Sequence, residues 1–192
     1  SASFPSGQHT HGRMDALNAS RIAVAWTHND SSENNVRLSL YTPSGDAVET
    51  DLLPYPAPGS SSIIPGQHSM PDVSIMDGTK GALVWVNEWV EDGQIVTNSR
   101  LLLNILNLSD NTFNSTPIVV TTDLGLEVSN PRVIRMNEDS TAISKLFIVW
   151  QEKILADEST RIRFAIYDSA TEGLSVEATT IDLGGPNGLR NP

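Results

Sequence analysis

The sequence predicts an all-β protein built from three tandem four-stranded antiparallel units. Two tripeptide patterns recur at one period, Gly7-Gln8-His9 with Gly66-Gln67-His68 and Ser69-Met70-Pro71 with Ser129-Asn130-Pro131. Tryptophans recur at about the same interval of ~60 residues, each after a small or β-branched residue: Trp26, Trp85 and Trp150. A period of this length is typical of one supersecondary unit repeated along the chain.

Each unit contains four apolar runs separated by turn residues such as Asp77-Gly78. The runs of the first unit are Met14–Leu17, Ile22–Trp26, Val36–Tyr41 and Ala47–Leu52. Those of the second are Val73–Met76, Ala82–Val86, Leu101–Leu106 and Thr116–Thr121. Those of the third are Val133–Met136, Leu146–Trp150, Ile162–Tyr167 and Leu174–Ile181. They are rich in β-branched and aromatic residues without a helical period, which indicates strands joined as hairpins.

Four-stranded units in tandem resemble β-propeller blades. Asn130-Pro131-Arg132-Val133, Asp77-Gly78 and Val24-Ala25-Trp26 are similar to the repeats of secreted bacterial repeat proteins, with no specific family indicated. The resemblance implies a secreted or cell-surface protein. It also implies blades at 1–56, 57–122 and 123–182, with 183–192 as the start of a following blade or a tail. A β-sandwich with accidental internal similarity is the alternative architecture.

Three blades do not close a ring, because propellers carry about four to eight. The last residues, Ile181–Pro192, mirror Thr122–Gly125 and the later pair Asn130-Pro131. The sequence therefore predicts a partial or oligomer-completed propeller. Its partners would be further blades of a longer chain or other protein subunits that complete the ring.

Composition excludes several functional classes. Twelve Lys+Arg against 23 Asp+Glu give a net charge of -11, which argues against nucleic acid as a partner because a basic face is needed there. No apolar run approaches the ~18 residues of a membrane span. The absence of cysteine excludes disulfides, thiol catalysis and cysteine-ligated metals, and is compatible with export from a bacterium.

The resemblance implies that ligands bind at the loops after the second strands and at the loops that join one unit to the next, which share one face of a blade-type fold. An exposed Trp89 could stack on a glycan or anchor a protein partner, the alternative being a Trp folded back on its own blade. Oxygen-rich loops that include Asp30 and Asp92 could hold Ca²⁺, although no EF-hand spacing occurs and solvated loops are the alternative. The ligand-binding candidates are Trp89, Glu88, His28, Asn87 and Glu152.

Histidines offer a weaker metal site. His9 and His11 would share a face if their segment is a regular strand. The repeat places His9 and His68 at equivalent positions, where neighbouring units could bring them together. Zinc or copper needs three or four converging ligands, and hydrogen bonding of these histidines in a recurring turn is the alternative.

Aligned units place Arg13, Asp72 and Arg132 in one column at the start of the first strand, with Asp15 at the next inward position. Alternating charges in this column predict salt bridges between neighbouring units. Propeller glycosidases carry carboxylates on their innermost strands, and Asp15 and Asp72 are the only acids placed there, which makes them weak catalytic candidates.

These patterns favour a non-catalytic, exported structural or binding module that presents polar loops to a glycan or a protein partner. Trp26, Trp85 and Trp150 are then structural residues that pack unit against unit. A fragment of a propeller glycoside hydrolase is the first alternative. A calcium-stabilised adhesin segment is the second.

Overall fold

A computed structural model describes residues 8–29, 34–55, 66–90, 97–121, 125–136 and 145–181, and these contain strands and no helix. The first sheet has the order β1 (Gln8–Asn18), β2 (Arg21–Asn29), β3 (Asn34–Tyr41) and β4 (Ala47–Leu52). The second consists of β5 (Gln67–Asp77), β6 (Lys80–Val90), β7 (Thr97–Asn107), β8 (Thr112–Phe113) and β9 (Ile118–Val119). The third has the order β10 (Leu126–Arg135), β11 (Lys145–Ile154), β12 (Thr160–Asp168) and β13 (Gly173–Thr180).

All pairings within the sheets are antiparallel, and each strand lies beside its neighbour in sequence, apart from β9. The predicted all-β class with three tandem four-stranded units is therefore confirmed. The proposed boundaries between units stay a prediction, since they fall on segments outside the described residues.

The outer strand of the second unit differs from the single run predicted at Thr116–Thr121. Two short strands, β8 and β9, both pair with β7. Between them, the amide side chain of Asn104 donates to the carbonyl of Asn114 at 2.9 Å, while the backbone N–H of Asn114 still donates to the carbonyl of Ile105 at 3.0 Å. Pro117, immediately before β9, has no N–H to donate to a ladder. The outer strand is therefore interrupted.

The first strand of every unit begins earlier than predicted and contains a bulge at one repeated position. Register shifts lie between Thr10 and Arg13, Ser69 and Asp72, and Ser129 and Arg132. One residue in each bulge has a left-handed backbone: His11 (φ 53), Met70 (φ 51) and Asn130 (φ 51). The residue that follows is Gly12, Pro71 or Pro131. Glycine and proline inside strands occur mainly at bulges. In the sequence alone, the same residues indicate the end of a strand, so the first strands were predicted to begin too late.

Strand register confirms that the three units are equivalent. Arg13 pairs with Ala25, Asp72 with Val84, and Arg132 with Val149. Each of these partners immediately precedes a tryptophan of the second strand. The residue pairs thus place Trp26, Trp85 and Trp150 at the same point of their sheets.

The sheets pack in chain order through two apolar clusters. We call the side of each sheet that carries its tryptophan the Trp face and the other side the non-Trp face. Between the first two sheets, the non-Trp face of sheet 1 meets the Trp face of sheet 2: Ala23, Ala25, Leu38 and Leu40 against Val73, Leu83, Trp85 and Leu102. The arrangement repeats between sheets 2 and 3: Ala82, Val84 and Leu103 against Leu146, Ile148, Trp150 and Ala165.

No described helix has the length and hydropathy required to cross a membrane.

Candidate functional site

The first strands of neighbouring sheets bring together a row of charged residues, which we call the charge row: Arg13, Asp15, Asp72 and Arg132. Nε of Arg13 lies 3.8 Å from Oδ1 of Asp72, so the predicted salt bridge between units 1 and 2 forms. The charge of Arg132, on the first strand of unit 3, lowers the pKa of the same carboxylate.

Asp72 is buried and binds the third sheet directly. Its Oδ2 accepts a hydrogen bond of 2.8 Å from the backbone N–H of Val133. Burial raises the pKa of Asp72 above its ordinary value, although the Val133 N–H and the two guanidinium groups act in the opposite direction. The nearby charge of Asp15 adds to the increase. Asp72 is therefore a buried carboxylate that joins two sheets.

Asp15 has the same role between sheets 1 and 2. Its Oδ2 accepts a hydrogen bond of 3.0 Å from the backbone N–H of Ile75, and its Oδ1 accepts one of 2.9 Å from Ala16. Both acids proposed for catalysis thus use an oxygen to hold the backbone of the next sheet.

The raised pKa of Asp72 gives a testable pH dependence. The folded protein binds this proton more readily than the unfolded chain, so the stability associated with Asp72 is present at acid pH and is lost as pH rises through its folded pKa. Asp72→Asn removes this loss while keeping an acceptor for Val133. Relative to the original, we expect the free energy of unfolding of the variant to increase, meaning greater stability, as pH rises from about 4 to about 7, as measured by urea denaturation.

Asp157→Asn is a control with the opposite sign. The side chain and backbone N–H of Ser159 lower the pKa of the exposed Asp157. The stability associated with Asp157 is gained as pH rises to about its ordinary pKa of 3.8, so this variant should lose stability relative to the original below about pH 4 and change little between about pH 4 and 7. A rise in that interval parallel to that of Asp72→Asn would contradict the assignment.

Three of the predicted ligand-binding residues occupy one repeated position, two residues after each tryptophan: His28, Asn87 and Glu152. They are 4%, 0% and 0% exposed. The expectation that they lie in solvent-facing loops is wrong, because the second strands extend to Asn29, Val90 and Ile154. Their polar atoms are buried within the sheets, where other side chains bind them.

Glu152 is the centre of a buried ionic cluster. The indole N–H of Trp150 donates to its Oε1 at 2.8 Å. Arg161 donates through Nε to its Oε2 at 2.9 Å, and Nη1 of Arg163 lies 3.3 Å from the same oxygen. With both oxygens bound by donors of its own sheet, Glu152 has a structural role.

Asn87 and the histidines form equivalent clusters in the other two units. Arg100 donates to Oδ1 of Asn87 at 2.9 Å. The indole N–H of Trp85 donates to Nδ1 of His68 at 3.0 Å, and Tyr55 stacks on the same imidazole with ring centroids 4.0 Å apart. An indole N–H can only donate, so Nδ1 of His68 is the acceptor. His68 thus lies on a strand and not in a turn, and it packs against aromatic side chains.

His9 pairs with His28 across the first two strands of sheet 1, as His68 pairs with Asn87 in sheet 2. The Nδ1 atoms of His9 and His28 are 3.5 Å apart, and the rings of His9 and Trp26 form a T-shaped contact with centroids 6.2 Å apart. His11 lies in the bulge, where regular alternation with His9 is interrupted. Among the residues that the structure describes, no group of three or more His, Asp or Glu side chains is arranged to hold a metal ion.

Trp89 and Glu88 lie near the end of β6, where Trp89 pairs with Asn98. Both are half-buried, and the guanidinium of Arg100 lies 4.7 Å from the Trp89 ring centroid, a cation–π contact. Burial raises the pKa of Glu88, and the charge of Glu127 adds to the increase. These residues form a partly open polar and aromatic edge, which we call the Trp89 edge. Asp30 and Asp92 lie outside the described residues, so calcium binding there stays a prediction.

No protein-family model matches the chain, and no curated protein sequence matches it significantly. One similar solved structure is the crystal structure of an endo-arabinase from Bacteroides thetaiotaomicron VPI-5482. The two share 15% identity and superimpose with a TM-score of 0.56, over 94% of this chain and 66% of the endo-arabinase chain. The chain thus spans slightly less than two thirds of that structure. At this identity the likeness supports the all-β fold with blade-like sheets.

Proposed function

We propose that this chain is a non-catalytic, exported binding module made of propeller-like blades and that it works as part of a larger assembly. One observation carries the non-catalytic assignment. The two acids considered as catalytic candidates, Asp15 and Asp72, accept hydrogen bonds from the backbones of the neighbouring sheets. A carboxylate that must protonate a leaving group or activate water needs an oxygen directed at the substrate. Here these oxygens stabilise the stack of sheets instead.

The Trp89 edge is the ligand-binding surface in this proposal. An indole offers a large, rigid apolar face for a sugar ring, and the guanidinium of Arg100, on the same side of the sheet, can bind hydroxyl groups. Glu88 is the adjacent strand residue and projects from the opposite side. Arg100 is itself fixed by Asn87, so this edge is prearranged. The endo-arabinase-like fold makes an arabinan the first glycan to test.

The experiment combines affinity electrophoresis with an assay for reducing ends. We expect soluble arabinan in the gel to retard the protein and Trp89→Ala to abolish the retardation. Val90→Ala is the matched control, since Val90 is the adjacent residue and is 58% exposed. No reducing ends should be released. Unchanged retardation of Trp89→Ala, or failure of arabinan and of a panel of other polysaccharides to retard the protein, would contradict the glycan-binding assignment.

A glycoside hydrolase is the second candidate, and two observations favour it. The fold is similar to that of an endo-arabinase, and burial raises the pKa of Asp72, as is common for catalytic acids. Release of reducing ends by the original chain, lost in both Asp15→Asn and Asp72→Asn, would support this candidate over the binding module.

A further inference from the structure

The two interfaces inside the chain are built in the same direction. One Trp face and one non-Trp face therefore remain, on the first and the last sheet. In both interfaces, the non-Trp face of one sheet contacts the Trp face of the next. Among the described residues, neither the Trp face of sheet 1 nor the non-Trp face of sheet 3 belongs to such an interface. The chain therefore carries both halves of an interface that it already builds twice.

Exposure at one equivalent position shows that the Trp face of sheet 1 is uncovered around Met14, whereas Trp26 and His28 on the same face are 5% and 4% exposed. Met14 pairs with Val24, as Val73 pairs with Leu83 and Val133 with Ile148. Val73 and Val133, which face a preceding sheet, are 5% and 6% exposed, whereas Met14 is 76% exposed. A large apolar side chain thus lies in solvent at a position that is buried in both other units.

The non-Trp face of sheet 3 shows the same contrast. Ile134 is 60% exposed, while its equivalent Ser74 is 6% exposed. Met136 is 46% exposed, while its equivalents Leu17 and Met76 are 0% exposed beneath the following sheet. Four further apolar residues on this face are half-buried, although their equivalents in sheet 2 are buried: Phe147, Val149, Phe164 and Ile166.

We propose that these two faces bind each other between two copies of the chain, head to tail, so that six sheets close into one ring. The proposal rests on the proposed function as part of an assembly and names the partner as a second copy. The Trp face of sheet 1 in one copy covers the non-Trp face of sheet 3 in the other, and the same contact forms again on the opposite side. Six blades lie within the range of about four to eight that closed propellers use.

The chemistry of the two faces favours a second copy because the contact repeats an interface already present in the chain. Met14 and Val24 would meet an apolar surface that contains Ile134 and Phe147. This interface lacks the carboxylates of the internal ones, since Arg132 and Ile134 occupy the positions of Asp72 and Asp15. Arg132 would instead lie near the Arg13 of the second copy. Because salt screens this like-charge contact, added salt should strengthen the dimer.

The test is sedimentation equilibrium of the chain over a range of concentrations. We expect a dimer of twice the 20.8 kDa chain mass, tighter at higher salt. Met14→Glu and Ile134→Glu should each raise the dissociation constant at least about tenfold, because each buries an unpaired carboxylate. Both residues are exposed in the single chain, so both variants should keep the circular dichroism spectrum of the original. Val90→Glu is the control, since Val90 is exposed near the end of β6.

Other results would overturn the proposal. A dimer that is weakened by Ile134→Glu and unaffected by Met14→Glu would indicate pairing of sheet 3 with sheet 3. Growth into filaments would show that the contact does not close a ring. A monomer at all concentrations and salt levels would exclude the contact. None of these results depends on arabinan retardation by the Trp89 edge, so failure of the dimer is distinguishable from failure of the proposed function.

Discussion

Replacing Glu152 by alanine should lower the free energy of unfolding by about 3 kcal/mol, because it leaves two partly buried cationic groups without their counter-charge. Glu152 is 0% exposed, and the side chains of Arg161 and Arg163 are 31% and 12% exposed. Removal of one partner from a buried ionic cluster costs more than the cluster contributes, since the remaining charges stay poorly solvated. For a chain of this size, this loss corresponds to a fall in Tm of about 6–12 °C.

Three comparisons in urea denaturation make this prediction specific. Glu152→Gln keeps an acceptor for the indole of Trp150, so it should lose less stability than the alanine variant. Glu177→Ala removes an exposed glutamate of β13 and should change stability by less than about 0.5 kcal/mol. The double variant Glu152→Ala, Arg163→Ala should be more stable than the sum of its two single variants predicts. Strict additivity would show that the two charges are not coupled.

The sequence predicted the number of units, the strand order and the charge row because each depends on residues that repeat. The bulges were missed because His11-Gly12, Met70-Pro71 and Asn130-Pro131 combine residue types that usually end a strand. What holds them inside a strand is the continued pairing of His9 and Ser129 with the next strand, a tertiary contact that propensity does not report.

Burial of the polar positions after the tryptophans was missed for a related reason. His28, Asn87 and Glu152 end the apolar runs, and polar residues at a strand end usually indicate a loop. A signal was nevertheless present in the repeat, since all three follow a tryptophan at the same distance. Arg161 and Arg163 alternate along β12, which places them on one face, and two cations on one face of a strand indicate an anion opposite.

Replacing Trp85 by alanine should have the largest effect on stability, about 3–5 kcal/mol. Its side chain is 0% exposed in the cluster between sheets 1 and 2, and its N–H is bound to His68. The substitution removes the largest side chain of that cluster and leaves the imidazole without its donor. Because the cavity lies between two sheets, the loss should weaken the attachment of sheet 1 as well as sheet 2.

Two further variants, Trp26→Ala and Trp85→Phe, separate the contribution of packing between sheets from that of the repeated position within a sheet. Trp26 occupies the equivalent position but lies outside both described apolar clusters, so Trp26→Ala should cost clearly less than Trp85→Ala. Trp85→Phe keeps much of the apolar contact and should fall between them, with the lost hydrogen bond contributing about 1 kcal/mol. Unfolding in urea, followed by far-ultraviolet circular dichroism, measures all three. Equal losses for Trp26→Ala and Trp85→Ala would mean that local sheet contacts, rather than packing between sheets, determine what each tryptophan contributes.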